Sequence, residues 1–256
     1  MNRYDFIIST IKEAGAMLLQ TQKRGLNVSA KVGDPRDLVT NADFEINDFI
    51  TKKIRESFPD DSIYSEETKH DPNLVDSYWT IDPIDGTSNF AKGIPHFASA
   101  IAFVDNGEPV VGAVYNPATQ ESFSFEKGKG VFLNGEQVSV SKVTNIKEAS
   151  VLLHIGRKED VRDWGIDLHR FFLGNVSKVI NLGSSALDLC FLAAGRVDAV
   201  VYGTMTTKDI SVALGMVREA GGEVYNLDGK PATLLEAPQQ IIATSTRDLF
   251  DAIAKI

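Results

Sequence analysis

A run of core-type residues, Tyr78-Trp79-Thr80-Ile81, leads directly into Asp82-Pro83-Ile84-Asp85-Gly86-Thr87-Ser88-Asn89-Phe90, and no other stretch constrains the fold as much. The apolar run reads as a buried strand. Its end delivers two carboxylates three residues apart, with Pro83 fixing the backbone between them and Gly86 free for an unusual dihedral or a close approach. A carboxylate carried on a buried strand is costly without a partner, so a cation or strong donors are expected around Asp82. Thr87 and Ser88 can then open a helix, whose first N–H groups attract anions such as phosphate.

The rest of the chain supplies two rhythms. Ile7, Ile11, Ala14 and Leu18 recur at the spacing of one helical face. A second helix follows Thr40, which forms a capping-type pair with Asp43; Phe49, Ile50 and Ile54 give its apolar stripe, and Phe58-Pro59-Asp60-Asp61 ends it. Short β-type runs at Phe97–Val104, Pro109–Tyr115 and Glu121–Phe125 are separated by the turn signals Asp105-Asn106-Gly107 and Asn116-Pro117, which predicts an antiparallel meander. Asn134-Gly135 marks another tight turn.

Beyond about residue 145 strands and helices alternate. Val151–Ile155, Val176–Ile180, Val197–Tyr202 and Ile241–Thr244 read as strands. Asp160–Leu173, Ser185–Ala194, Asp209–Ala220 and Asp248–Ile256 read as helices, the middle two closed by Gly195 and Gly221-Gly222. Alternation predicts a sheet covered by helices. The fold class is therefore α/β with α+β character, softly divided near residues 135–148 into a 1–140 unit and a 141–256 unit.

Composition narrows the function. The 256 residues carry 35 acidic and 26 basic side chains, a net charge of −9, and no Lys/Arg run, which disfavours nucleic acid as a partner. No stretch approaches the roughly 18 apolar residues of a membrane span. The single Cys190 excludes an intrachain disulfide and fits a reducing, cytoplasmic location. His70, His96, His154 and His169 lack close metal-ligand spacing, which argues against zinc. Cys190, Trp79 and Phe90 read as core, and His96 as a loop residue.

Acids recur at other element boundaries: Asp37 and Asp43 around Leu38-Val39-Thr40-Asn41-Ala42, Glu66 and Glu67 after Ile63-Tyr64-Ser65, and Asp209 at a helix start. Each alone reads as a cap or a surface acid. Together with Asp82 and Asp85 they could give a carboxylate cluster from four segments, the all-oxygen setting that suits Mg²⁺ shared with water and phosphate.

These motifs, in this order and across nearly the whole chain, resemble those of the inositol monophosphatase family: Ile81 to Phe90 resembles its signature, Asp37 to Asp43 its upstream motif, Ser65-Glu66-Glu67 its glutamate motif and Asp209 to Gly222 its C-terminal motif. The resemblance implies a layered αβαβα sugar-phosphatase-type fold, an antiparallel N-terminal sheet with most metal ligands, a mixed C-terminal sheet completing the site, and a homodimer. It implies two to three Mg²⁺ ions per site. Glu66, Asp82 and the carbonyl of Ile84 would hold the first, Asp82, Asp85 and Asp209 the second, and Glu66 a third. Asp43 and Thr87, with Glu66, would orient and activate the attacking water. The segment Asp85-Gly86-Thr87-Ser88 would hold phosphate, chiefly through the N–H groups of Gly86 and Thr87, and Gly183-Ser184-Ser185 would line the alcohol portion. The expected partner is a small phosphorylated metabolite, hydrolysed by water with no phosphoenzyme.

Two positions depart from the inositol-specific pattern. The position seven residues before Asp209, a substrate-contacting glutamate in many inositol-specific members, is Tyr202, and the tryptophan usual before that aspartate is Lys208. Lys208 is either a solvated lysine or an attractor for a second anionic group, and Lys31 lies one residue off the spacing of the family's metal-proximal lysine. Alternatives are a fructose 1,6-bisphosphatase, an adenosine 3',5'-bisphosphatase (for which Ser88-Asn89 lacks the expected Lys-Glu type pair), and a regulatory protein-binding member.

Overall fold

The computed structural model describes residues 1–31, 35, 37–67, 76–155, 159–234 and 239–255. His70 and the last residue of the expected C-terminal helix, Ile256, lie outside them. The chain opens with α1 (Arg3–Arg24), a ribbon of β1 (Val28–Ala30) and β2 (Leu38–Thr40), and α2 (Asn41–Ser57). There follow β3 (Ser62–Ser65), β4 (Ser77–Asp85), α3 (Thr87–Lys92), β5 (Ala98–Asp105), β6 (Glu108–Asn116), β7 (Glu121–Glu126), β8 (Gly130–Leu133) and β9 (Glu136–Val138). After one 3₁₀ turn come β10 (Ser150–His154), α4 (Glu159–Asn175), β11 (Lys178–Ile180), α5 (Ser185–Ala193), β12 (Ala199–Met205), α6 (Thr207–Glu219), β13 (Glu223–Tyr225), β14 (Gln239–Thr244) and α7 (Arg247–Ile253).

The elements stack in five layers. The predicted stripe of α1 (Ile7, Ile11, Ala14, Leu18) is fully buried, and with Ile46, Ile50 and Ile54 of α2 it covers one face of the first sheet around Trp79 and Ile101. The other face of that sheet, with Val114, Phe123 and Phe125, packs on α5 and α6 through Leu187, Cys190, Val212 and Met216. Gly215 permits the close approach, since a Cβ there would collide with the Phe125 ring. The same two helices turn Leu189, Ile210 and Leu214 onto the second sheet, whose far face is closed by Leu168 and Phe172 of α4 and Leu249 and Phe250 of α7. This is the αβαβα order.

The first sheet runs β3-β4-β5-β6-β7-β8-β9 and is antiparallel except at its edge, where β3 pairs parallel with β4. The rest of the sheet is the antiparallel one expected, and the parallel edge pair puts the C-terminal ends of β3 and β4 side by side. Glu66 and Asp82 owe their proximity to this. The second sheet is mixed as expected, with order β11-β10-β12-β14-β13. The strand expected from Val176 starts only at Lys178, because the Val176 N–H still closes on the Phe172 carbonyl of α4. Among the described residues no helix is long and apolar enough to cross a membrane.

Candidate active site

The junction at the end of β4 is a β-bulge. Asp82 faces Ala100 and Asp85 faces Ala98, so three steps on β4 oppose two on β5. Residues three apart on a regular strand point to opposite faces; the extra residue brings both carboxylates back to one side. Pro83 has no N–H to lose at the break, and its carbonyl accepts from the Ser99 hydroxyl at 2.7 Å. Gly86 then takes φ +86, and a Cβ there would lie 3.1 Å from the His96 carbonyl and 3.3 Å from that of Gly183. The chain enters α3 through a gap that only glycine fits.

Glu66, Asp82, Ile84, Asp85, Gly86, Thr87, Ser88 and Asp209 line one cleft together with Asp37, Leu38 and Lys208. Four segments of the chain thus meet at the cleft. Asp43 stands behind the cleft wall. Its Oδ2 accepts from the Thr40 N–H and hydroxyl, both at 2.7 Å, completing the predicted capping box, and its Oδ1 lies 3.3 Å from Thr87 Oγ1. Thr87 Oγ1 is also 2.9 Å from the Ile84 carbonyl, so its one proton goes to either acceptor. Asp209 repeats the capping box at the start of α6, accepting from the Thr206 N–H at 3.0 Å and hydroxyl at 2.7 Å.

Ser184 and Ser185 approach the site from behind. Asp85 accepts from the Ser184 hydroxyl, the Ser185 N–H and hydroxyl (3.2 and 3.1 Å) and the Ala186 N–H (2.8 Å), so it caps the start of α5. Gly183 sits at this turn with φ +84, next to Asn89. These residues support the carboxylate and are not among those lining the cleft. Tyr202 is also out of it: its hydroxyl donates to Asp188 Oδ2 at 2.5 Å within the core, and the other oxygen of Asp188 is 3.0 Å from His96 Nε2. His96 stands in a loop, as expected, but is buried. Cys190, Trp79 and Phe90 are core residues, and burial pushes the Cys190 thiol far up.

Charge divides the cleft. Burial pushes the Asp85 carboxyl up to about 6, which the Ser184 hydrogen bond opposes and the nearby Asp209 reinforces. Burial likewise brings Asp43 to about 6 against the pull of the Thr40 donors. Asp82 is driven well above the carboxylate range by burial and by Glu66, with Lys208 opposing. Glu66 goes the other way. Burial favours its neutral form, but the Lys208 and Lys31 ammonium groups overcome it and hold the carboxyl at about 2. Lys208 Nζ is 2.6 Å and Lys31 Nζ 2.5 Å from Glu66 Oε1. Neither expectation for Lys208, solvated lysine or free anion attractor, describes it: the side chain is 14% exposed and held by an acid. The sequence offered one signal for this role, a lysine adjacent to Asp209 in an otherwise acidic set.

The donor set fits a hard divalent cation. Every candidate is a carboxylate or carbonyl oxygen, and Asp82 Oδ1 is buried with no hydrogen-bond partner. Among the described residues, no three acids stand converged as they would around an ion. Asp85 and Asp209 accept from donors at helix starts, and Glu66 from lysines.

A five-layer body carries this oxygen-rich cleft at its strand ends, and comparison with known proteins gives its class, the phosphoric monoester hydrolases. The profile of the inositol monophosphatase family matches residues 2–256, and the chain belongs to that family. It is 37% identical over 232 residues to the fructose-1,6-bisphosphatase/inositol-1-monophosphatase of Thermotoga maritima, covering 91% of this chain and 88% of that one. To bovine inositol monophosphatase 1 it is 31% identical over 258 residues, covering 98% and 92%. The solved Thermotoga maritima IMPase superposes with a TM-score of 0.89 at 34% identity, covering 100% of this chain and 96% of the other.

Proposed function

We propose that this chain is a Mg²⁺-dependent phosphomonoesterase that hydrolyses a small phosphorylated alcohol by direct attack of water. The observation that carries this is the buried Asp82 carboxyl, unpartnered at Oδ1 and sharing one cleft with Glu66, Asp85 and Asp209, whose charges act on it. Such a group is expensive unless a cation joins it. Glu66, Asp82, Asp85, Asp209 and the Ile84 carbonyl would hold two to three ions. When bound, magnesium supplies Lewis acidity that polarises water and offsets charge on the departing oxygen.

The chain's own residues do the rest. The N–H groups of Gly86 and Thr87, and the Ser88 position beside them, orient the phosphate at the start of α3. Thr87 Oγ1 can donate its proton to Asp43 Oδ1 instead of the Ile84 carbonyl, which leaves its lone pairs to accept from the attacking water. Asp43, with its carboxyl near 6, is suited to take up that proton at neutral pH. In the Gly183-Ser184-Ser185 segment, the two serines act through Asp85, holding its carboxylate in place. Among the described residues no thiol or imidazole lines the cleft, and this reading uses neither as a nucleophile.

The substrate is an inositol monophosphate or sugar phosphate. Tyr202 gives the cleft no acid where an inositol-specific glutamate would stand, and the Thermotoga maritima relative is named for both activities, which keeps fructose 1,6-bisphosphate as the second reading. Retention of all four acids weighs against a purely regulatory member. A homodimer in the cytoplasm, with site-bearing 1–140 and 141–256 units, completes the proposal. The test is phosphate release from inositol, sugar and adenosine phosphates with Mg²⁺ or with chelator. Asp85→Asn should lower kcat by about 10³-fold or more. Turnover unaffected by chelation, or by that variant, overturns the reading.

A further inference from the structure

The cleft holds a cation of its own. Lys208 begins α6 next to Asp209 and sends its side chain into the acidic cluster, where Nζ meets Glu66 Oε1 at 2.6 Å. Lys31, from beside the β1–β2 ribbon, reaches the same oxygen at 2.5 Å and comes within 3.6 Å of Glu67. Two ammonium groups on one carboxylate oxygen repel each other. The pairing persists because the surrounding charge is otherwise negative: Asp82 and Asp209 also act on Lys208. Glu66 is therefore the most fully neutralised acid of the cleft, and it is one that an incoming ion would need.

We propose that Lys208 is a resident counter-cation that occupies Glu66 in the metal-free protein and competes with magnesium for that carboxylate. The inference rests on the magnesium reading of the cleft. Its consequences run in two directions. The ammonium stabilises the metal-free acidic cluster, and the same ammonium must yield Glu66, or share it under repulsion, when a divalent ion enters. Lys208 thus sets how much free magnesium is needed to complete the site. It is a positioning residue for the ion and need not touch substrate.

The experiment measures Mg²⁺ binding by calorimetry on wild type, Lys208→Met and Lys208→Arg, with thermal melts in chelator and in magnesium. Removing a unit charge several ångströms from the ion should tighten magnesium binding by about tenfold or more. In chelator the Lys208→Met protein should melt lower than wild type, and its melting temperature should rise further on adding magnesium. Lys208→Arg keeps the charge and should restore wild-type affinity. If Lys208→Met does not fold, Lys208→Gln, which keeps a polar terminus, takes its place. Equal or weaker magnesium binding in the neutral variants overturns the proposal while leaving the metal site standing. A wild-type protein that binds no magnesium sinks the site reading itself.

Discussion

Glu66 and Asp85 stand on the same cleft and are stabilised by opposite means. Glu66 is held by two ammonium groups, and its carboxyl falls to about 2. Asp85 is held by four uncharged donors at the start of α5, more bonds at similar lengths, yet its carboxyl rises to about 6. The uncharged donors at Asp85 offset part of the loss of water but not all of it, with Asp209 adding repulsion, whereas two ammonium groups at Glu66 more than offset it. Asp82, with burial and an unpartnered oxygen, is the extreme of the Asp85 side. A cation entering the cleft should therefore relieve Asp82 and Asp85, but must win Glu66 from an existing partner.

The largest test changes a carboxylate to its amide on each side. Asp82→Asn should lower turnover by about 10³-fold, and yet stabilise the metal-free protein by roughly 1–3 kcal/mol, because an amide replaces an acid that burial drives well above the carboxylate range and that the folded protein must either protonate or ionise without a partner at neutral pH. Glu66→Gln should do the reverse to stability, lowering it by roughly 1–2 kcal/mol, since Lys31 and Lys208 lose their shared partner while keeping some contact with water. Melts in chelator at neutral pH read both. Shifts of the same sign would erase the distinction between the two sides.

The comparison sharpens with pH. Glu66 has a folded value of about 2 against 4.5, so its stabilisation is present above about 4.5 and lost as pH falls toward 2. Asp43 and Asp85 have folded values of about 6 against 3.8, so the folded protein binds protons that the unfolded chain has released. Their contribution is fullest below about 4 and is lost as pH rises through about 6. For buried Asp43 a shift of that size is worth roughly 3 kcal/mol. The difference in melting temperature between wild type and Asp43→Asn, followed in chelator from pH 4 to 7, isolates the group. It should move in favour of the variant as pH rises; a constant difference contradicts the assignment.

Much of this was legible in the chain. The Trp79–Phe90 segment announced a buried strand ending in paired acids, and the 3.6-residue stripes of α1 and α2 announced their buried faces, because both signals are local and strongly periodic. The capping box of Asp43 was legible for the same reason. What escaped was set by partners far away in sequence. The ribbon of β1 and β2 has three-residue strands with β1 wholly exposed, so it carries no hydrophobic pattern to read. Parallel pairing of β3 with β4 leaves no mark on the residue pattern of either strand. The bulge between Asp82 and Asp85 depends on the register of β5. Lys208 reads as an exposed lysine until α6 is placed against β4 and Glu66 comes within 2.6 Å.

The smallest predicted effect separates two capping boxes that look alike. Thr40 with Asp43 and Thr206 with Asp209 share geometry, each threonine giving an N–H and a hydroxyl to the aspartate three residues on. Removing either hydroxyl, as Thr40→Ala or Thr206→Ala, should cost about 1 kcal/mol of stability. Their functional consequences should differ. The Thr40 hydroxyl pulls Asp43 down from the value that burial alone would give, so Thr40→Ala should move the acid limb of the pH–kcat profile upward. Asp209 lines the cleft and Asp43 does not, so Thr206→Ala should weaken magnesium binding and leave that limb in place. If both variants moved the same limb, the two aspartates would share one role, and the separation of proton acceptor from ion ligand would fail.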